Sequence, residues 1–519
     1  MNNRGTSAAR GAALIVAAFV SCSIYVSAQN AAGGDTAEVH ELQDQVRELR
    51  SMIEEMRSEN TQSRAEMRQL RQDLQATRAL LEKPGASEGA TVAAASGAPA
   101  SATEGQAPPQ LEERVQKLEE SASLLGSKID EQYQTKVETA SKYRARLHGI
   151  VLMNAFRNIG GSDNLDFPNL AQPLRAGGPA ASVGATLRQS EIGLELFGPT
   201  LAGARTSADV QFDFSGGFPS VGDGVNFGIA RLQTASLRMD WRHTSIVAGQ
   251  DSLFISPLSP TSFASLATPA FAYAGNLWGW TPQLRVEHRF NLSDIQTITL
   301  QAGILDNLNW EPPYNSFYRS AQAGELSGQP AYALRTSWAR TVYGHPMSFA
   351  VAGYYGRQDW RWDRYADAWA GMADWQIPLF SRLSLSGEFY RGKGVGGLGA
   401  AEGRPIVYGG NSMSPSTPIR ALNSAGGWTQ LKLQLNPKLE LNGVIAEDDS
   451  FSNDVRGFAV DANNFAPIIG RNRGAFGNIV YRPRSDLLLS AELRRLRTFP
   501  IYSSSSFTNQ VNLAMGILF

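Results

Sequence analysis

Two periods divide the chain. From Val39 to Leu81 the apolar residues recur every seven positions: Val39, Val46, Ile53, Met67, Leu74 and Leu81, with Asn60 among them, form one series, and Leu42, Leu49, Met56 and Leu70 form the other. A spacing of 3.5 predicts an α-helical coiled coil. From Tyr143 onward the period falls to two. Ala204, Thr206, Ala208, Val210, Phe212 and Phe214 alternate with Arg205, Ser207, Asp209, Gln211, Asp213 and Ser215. The same dyad returns at Ala235–Arg242, Leu284–Arg289, Leu431–Asn436 and Ile479–Arg482, and it closes the chain at Val511–Phe519. Strands with one apolar and one polar face are expected throughout this region.

The flanks of the heptads say how the helices meet. Position e carries Arg50, Arg57, Arg64, Arg71 and Arg78, and position g carries Glu59, Glu66 and Asp73. In a parallel coil each g faces an e of the neighbouring helix, so these charges pair between copies. The contacts expected to hold the copies together are Val46, Leu49, Ile53, Asn60, Leu70 and Leu74. Val and Ile at a with Leu at d lean toward two chains, and Asn60 fixes register. A helix packed against its own barrel is the other reading of this segment. Residues 84–109 are almost wholly Ala, Gly, Ser, Pro and Thr and read as a flexible linker. A shorter coil follows in 110–140, with Leu111, Leu118 and Leu125 at d and the e and g charges reversed.

The N-terminus places Arg4 and Arg10 before an apolar run, then Val26-Ser27-Ala28. This is the order of an export signal cut after Ala28. Cys22 is the single cysteine; cleavage there as a lipoprotein is the alternative, with Phe19 an unusual residue for its recognition sequence. Cleavage after Ala28 leaves a mature chain with no thiol or disulfide. No later run of 18 apolar residues exists, so a membrane-embedded mature chain must cross as strands.

The organisation expected is therefore a signal peptide (1–28), a parallel coiled-coil stalk (29–83), a linker (84–109), a second short coil (110–140) and an all-β transmembrane barrel (141–519) of about 16 antiparallel strands. Charged faces recurring opposite apolar ones suit a wet lumen inside a lipid-facing wall. Residues 143–519 hold 29 arginines but three lysines, against 28 acids. Arg205, Arg238, Arg242, Arg285 and Arg289 fall on the lumen parity with Asp209 and Asp213, and are the expected pore-lining set. Arginine forks hold carboxylate and phosphate oxygens in pairs, so a row of them would favour small anions. Alternatively they are struts, paired with Asp209, Asp213, Asp240 and Glu287. The Pro-rich connection Phe254–Pro282 is long and aromatic, as a loop folded into the lumen would be. Trp278, Trp280, Trp360, Trp362, Trp369 and Trp375 are read either as interfacial girdles or as loop packing.

A net charge of −1 and 18% charged residues give no reason to expect nucleic acid as a partner. The five histidines are scattered, so no metal site is expected, and no cofactor either. Gly394–Gly399 matches a dinucleotide fingerprint, but no helical pattern follows it, which leaves a glycine-rich loop. No catalytic constellation stands out, and the chain is not read as an enzyme.

At Ser236–Val286 the order of a strand, Val247-Ala248-Gly249-Gln250, a Pro/Ser/Phe-rich loop and Pro282-Gln283-Leu284-Arg285-Val286 resembles the DcaP-type trimeric porins and the related phosphate-selective porins O and P. The terminal Phe519 likewise resembles the assembly signal of Gram-negative outer-membrane barrels. The resemblance implies a homotrimer of 16-stranded barrels with arginines lining an anion-preferring constriction, a coiled coil preceding each barrel; the heptads themselves leave a dimer open. It departs in Asp251, in the scarcity of lysine and in the longer, split stalk. The expected function is passive diffusion of small anionic solutes, such as carboxylates or phosphate, across the outer-membrane lipid of a Gram-negative cell, with the stalk in the periplasm. The alternative is a structural tether whose stalk reaches peptidoglycan.

Overall fold

The computed structural model describes residues 144–218, 228–311, 319–456, 458 and 468–519. The export signal, both heptad segments and the linker lie outside the described residues. Sixteen antiparallel strands close into one ring. They are β1 (Arg144–Ile159), β2 (in two pieces, Ala181–Thr186 and Glu191–Leu201), β3 (Ala204–Asp213), β4 (Arg231–Asp240), β5 (Thr244–Ser252), β6 (Trp280–Ser293), β7 (Gln296–Leu305) and β8 (Ala331–Val342). The second half of the ring comprises β9 (His345–Asp359), β10 (Tyr365–Phe380), β11 (Leu383–Lys393), β12 (Asn423–Asn436), β13 (Leu439–Asp449), β14 (Ile469–Arg484), β15 (Leu487–Pro500) and β16 (Ser506–Leu518). Each strand pairs with its sequence neighbours, as in an up-and-down barrel.

The seam joins the first strand to the last. β1 and β16 pair from Ile150↔Leu518 to Ile159↔Asn509, and Phe519 exchanges two backbone hydrogen bonds with Gly149 at 3.0 and 3.1 Å. No sheet edge is left open, which is the condition for a barrel to stand in lipid. On its other side β1 pairs with both pieces of β2. The break at 187–190 is bridged by Ser190, whose Oγ accepts from the Leu152 amide at 3.0 Å.

The two rims differ. At one, connections are tight turns: Ala202-Gly203 and Tyr343-Gly344 each have both φ angles between +50° and +78°. Two consecutive left-handed residues make the turn whose twist matches the flanking strands, which is why glycine stands second in each. At the other rim the connections are long, spanning 160–180, 253–279 and 394–422 among others. In outer-membrane barrels short turns face the periplasm and long loops the exterior.

The alternation read from the sequence holds on both faces. On β16, Val511, Leu513, Met515 and Ile517 are exposed outward while Gln510, Asn512 and Ala514 are buried inward. Two particulars differ from expectation. β4 stops at Asp240, and the Trp241 amide donates to the Thr244 carbonyl at 2.8 Å, so Trp241 and Arg242 sit in a rim turn. Arg242 is therefore not on a lumen-facing strand position. A register shift at Gln211/Phe212 also turns both Gln233 and Thr234 of β4 inward. The six tryptophans divide: Trp369 and Trp375 lie on β10, whereas Trp278 and Trp360 pack among loop aromatics.

Candidate functional site

Residues 253–279 leave β5 and turn into the barrel. Their apolar side chains pack on the inner wall in three successive patches. Leu253, Phe254, Ile255 and Leu277 meet Leu305, Ala333, Tyr354, Met372 and Tyr390 of β7–β11. Ala270, Phe271 and Ala274 meet Trp428, Val444, Phe476 and Leu496 of β12–β15. Phe263 and Leu266 meet Ile150, Leu152, Val480 and Leu488 near the seam. The principal apolar core of the molecule thus lies between this loop and the wall from β7 to β15, with β1 at the seam.

A loop inside a barrel must have its backbone satisfied by side chains. The wall supplies them. Glu388 accepts from the Leu258 amide at 2.8 Å and from the Ser256 hydroxyl at 2.5 Å. Gln430 Oε1 accepts from the Thr261 amide, and Asn478 Nδ2 donates to the Thr261 carbonyl, at 2.7 and 2.8 Å. Asn154 Nδ2 donates to the Phe263 carbonyl at 2.7 Å, and Gln189 Oε1 accepts from the Leu266 amide at 2.8 Å. At Gly275 the loop lies so close to β12 and β13 that a Cβ would stand 2.4–2.5 Å from the Glu447 carbonyl and the Gly427 backbone.

Strands β3–β6, with Arg335 of β8 and Asp374 of β10, carry a ladder of charges. Arg238 binds Asp240 at 2.9 Å and Glu287 at 3.3 Å; Arg285 binds Glu287 at 2.9 Å and Asp251 at 2.7 Å. Arg335 forks onto Asp374 at 2.8 and 3.0 Å. Arg231 pairs with Asp213, which also accepts from Gln233 at 2.8 Å. Asp209 meets His148 Nε2 at 3.2 Å. Of the arginines expected on this face, Arg238 and Arg285 are therefore struts. Arg289 donates to Ser245 Oγ at 3.2 Å and has no carboxylate in bonding range among the described residues. Arg205, exposed on the inward parity of β3, has none either.

The described parts of 306–330, and loop 394–422, add to the mouth. Trp278 of the inward loop packs on Trp310 and Trp280, with ring centroids 4.7 and 5.4 Å apart, and Tyr273 stands edge-on to Trp278 and Trp310. Arg231 lies over Trp280 at 5.0 Å. Gly394–Gly399 is the largely buried start of the third loop, where a Cβ at Gly399 would stand 2.8 Å from the Trp278 ring. In the same loop burial pushes the Glu402 carboxyl up to about 7, against the pull of Arg404. Arg231, Arg335, Asp374 and the polar wall residues that hold the loop were not singled out from the sequence. Among the described residues no His, Cys, Asp or Glu cluster could hold a metal.

No family model and no curated protein matches the sequence. Among solved structures, the outer-membrane channel DcaP of Acinetobacter baumannii is similar over 73% of this chain and 99% of its own, with a TM-score of 0.54 and 16% identity. The anion-selective porin of Comamonas acidovorans covers 73% and 100% at a TM-score of 0.43 and 11% identity. Pseudomonas putida OprB covers 72% and 94% at 0.44 and 12%. The first of these, taken with sixteen closed antiparallel strands, shows that this chain shares the fold of the DcaP channel.

Proposed function

We propose that this protein is an outer-membrane porin through which small solutes diffuse passively, with a preference for anions such as carboxylates or phosphate, and that it works as a homotrimer. The observation that carries the reading is the division of the barrel interior. The inward loop covers β7–β15 and the seam at β1, and β3–β6 keep a partly exposed face of fixed charges, as a narrowed aqueous path requires. Arg205 and Arg289 support the anion preference, because their charge is not cancelled by a bonded carboxylate. The paired arginines contribute a rigid local field with little net sign. An oxygen-rich anion passing them exchanges water for guanidinium forks without a deep, trapping site. In a planar bilayer under a salt gradient, purified protein should give stepwise conductance and a reversal potential of the sign set by anions. No conductance at any voltage would overturn the channel, and a cation-sign potential would overturn the preference.

A further inference from the structure

The outward face of the barrel carries charge where lipid should lie. On β14 and β15 the apolar outward run, Tyr481, Ile479, Leu489 and Leu493, gives way toward the long-loop rim to Arg471, Arg473, Arg495 and Arg497, all exposed. Arg471 is neutralised by Asp449 at 2.7 Å and Glu447 at 3.4 Å. The other three make no ion pair within 4 Å among the described residues, although Glu447 is the direct cross-strand neighbour of Arg473. Arg473 and Arg497 are direct cross-strand partners, and like charges in that relation oppose each other. They are nevertheless held in place. Both guanidinium groups stack on Phe499, at 5.1 and 4.7 Å, and Arg495 stacks on Phe507 at 5.4 Å. Arg497 Nη2 also donates to Ser505 Oγ at 3.0 Å.

Below them the wall is hollow. Small outward residues, Ala425, Gly427, Thr429 and Ala475, lie between Trp375, Phe389 and Ile445, leaving a largely apolar groove of about 870 Å³ that ends at Arg473, Arg495 and Arg497, with Glu447 and Asp449, the partners of Arg471, at the same end. An acyl chain in the groove and phosphate oxygens on the guanidinium forks satisfy both halves at once. We propose that this is a seat for a phosphorylated glycolipid of the outer leaflet. Arg497 lies three residues from the end of β15, about 10 Å at the usual strand rise, which sets it near headgroup depth. A second copy of the chain fits less well: among the described residues, the outward face of β1–β8 presents no carboxylate to oppose the patch. The proposal rests on the outer-membrane placement above but not on the identity of the solute.

The test uses full-length protein in detergent, stripped of endogenous lipid and titrated with diphosphorylated lipid A or with the same lipid after phosphate removal, followed by native mass spectrometry. The wild-type protein should prefer the phosphorylated form at least tenfold. Arg473→Gln/Arg495→Gln/Arg497→Gln should abolish that preference, and the corresponding triple Lys variant should keep part of it. Ala425→Leu/Ala475→Leu, which fills the groove, should weaken both lipids alike. Heat-dependent gel migration verifies the fold of each variant, and bilayer conductance reports separately on the channel. Equal binding of the two lipids by wild type overturns the proposal. So does unchanged binding by the Gln variant, or loss of its oligomer with lipid binding intact, which would assign the arginines to contact between copies.

Discussion

Glu492→Ala should release the inward loop. Glu492 and Arg494 are neighbours on the inner face of β15 and are each 2% exposed, with the guanidinium 2.8–2.9 Å from the carboxylate. The other carboxylate oxygen accepts from Ser262 of the loop at 2.6 Å and from Asn478 at 3.1 Å. Arg494 in turn donates to Ser262 at 3.1 Å and lies between Phe271 of the loop and Phe476 of β14. Removing the carboxylate leaves a buried cation without a counter-charge, a penalty of about 3–5 kcal/mol. β15 is hydrogen-bonded on both sides and cannot retreat, so the strain is relieved when the loop lifts and admits water. That penalty corresponds to about two to three and a half powers of ten in the ratio of docked to lifted loop. Single-channel recordings should show frequent transitions to a wider state, and added protease should cut within 253–279. Glu492→Met/Arg494→Met, which removes both charges, should stay quiet because an apolar pair of similar bulk needs no partner. Unaltered conductance, dwell times and protease resistance in Glu492→Ala would refute the reasoning.

Arg205→Ala/Arg289→Ala should shift the reversal potential toward the cation side, while Arg238→Ala, by freeing Asp240 with Glu287 still held by Arg285, should shift it further for each charge lost; bilayer measurements under one salt gradient compare them. Glu402 has a folded-state pKa raised from 4.5 to about 7 by burial, so the docked loop 394–422 is favoured when the carboxyl is protonated, and that advantage is lost as pH rises from about 4.5 through 7. Hydrogen exchange in 394–422 should therefore quicken between pH 5 and 8, and Glu402→Gln should flatten the dependence. Gly149→Val should block closure, since its Cβ would stand 2.3 Å from the Glu191 carbonyl and 2.9 Å from the Phe519 ring. Loss of the compact, heat-sensitive gel form would be the readout.

The strands around Leu284, Leu431 and Val511 were legible because lipid on one side and water on the other impose a period of two. Parity names a face but not a partner, so it did not reveal Asp251 as the neighbour of Arg285. It also failed where a strand ends early, as at Arg242. The wall behind the inward loop follows neither simple rule. Phe476 and Val480 are apolar on the inward parity, and Asn442, Asn478 and Asn512 look like ordinary lumen polars although they are buried. The signal was present in the sequence: bulky inward residues interrupt the alternation only where something covers them. The break in β2 had no such mark, because Arg188-Gln189-Ser190 is polar whether it pairs in a ladder or bridges one.

Natural variation should fall unevenly around this barrel. Where a polar side chain of the wall answers to a backbone group of the loop, as at Gln189, Gln430 and Asn478, it can change only together with the segment it holds. On the bare side Arg205 and Arg289 answer to water, and a lineage can exchange them singly. The barrel thereby separates positions bound to the loop from positions that can vary one at a time.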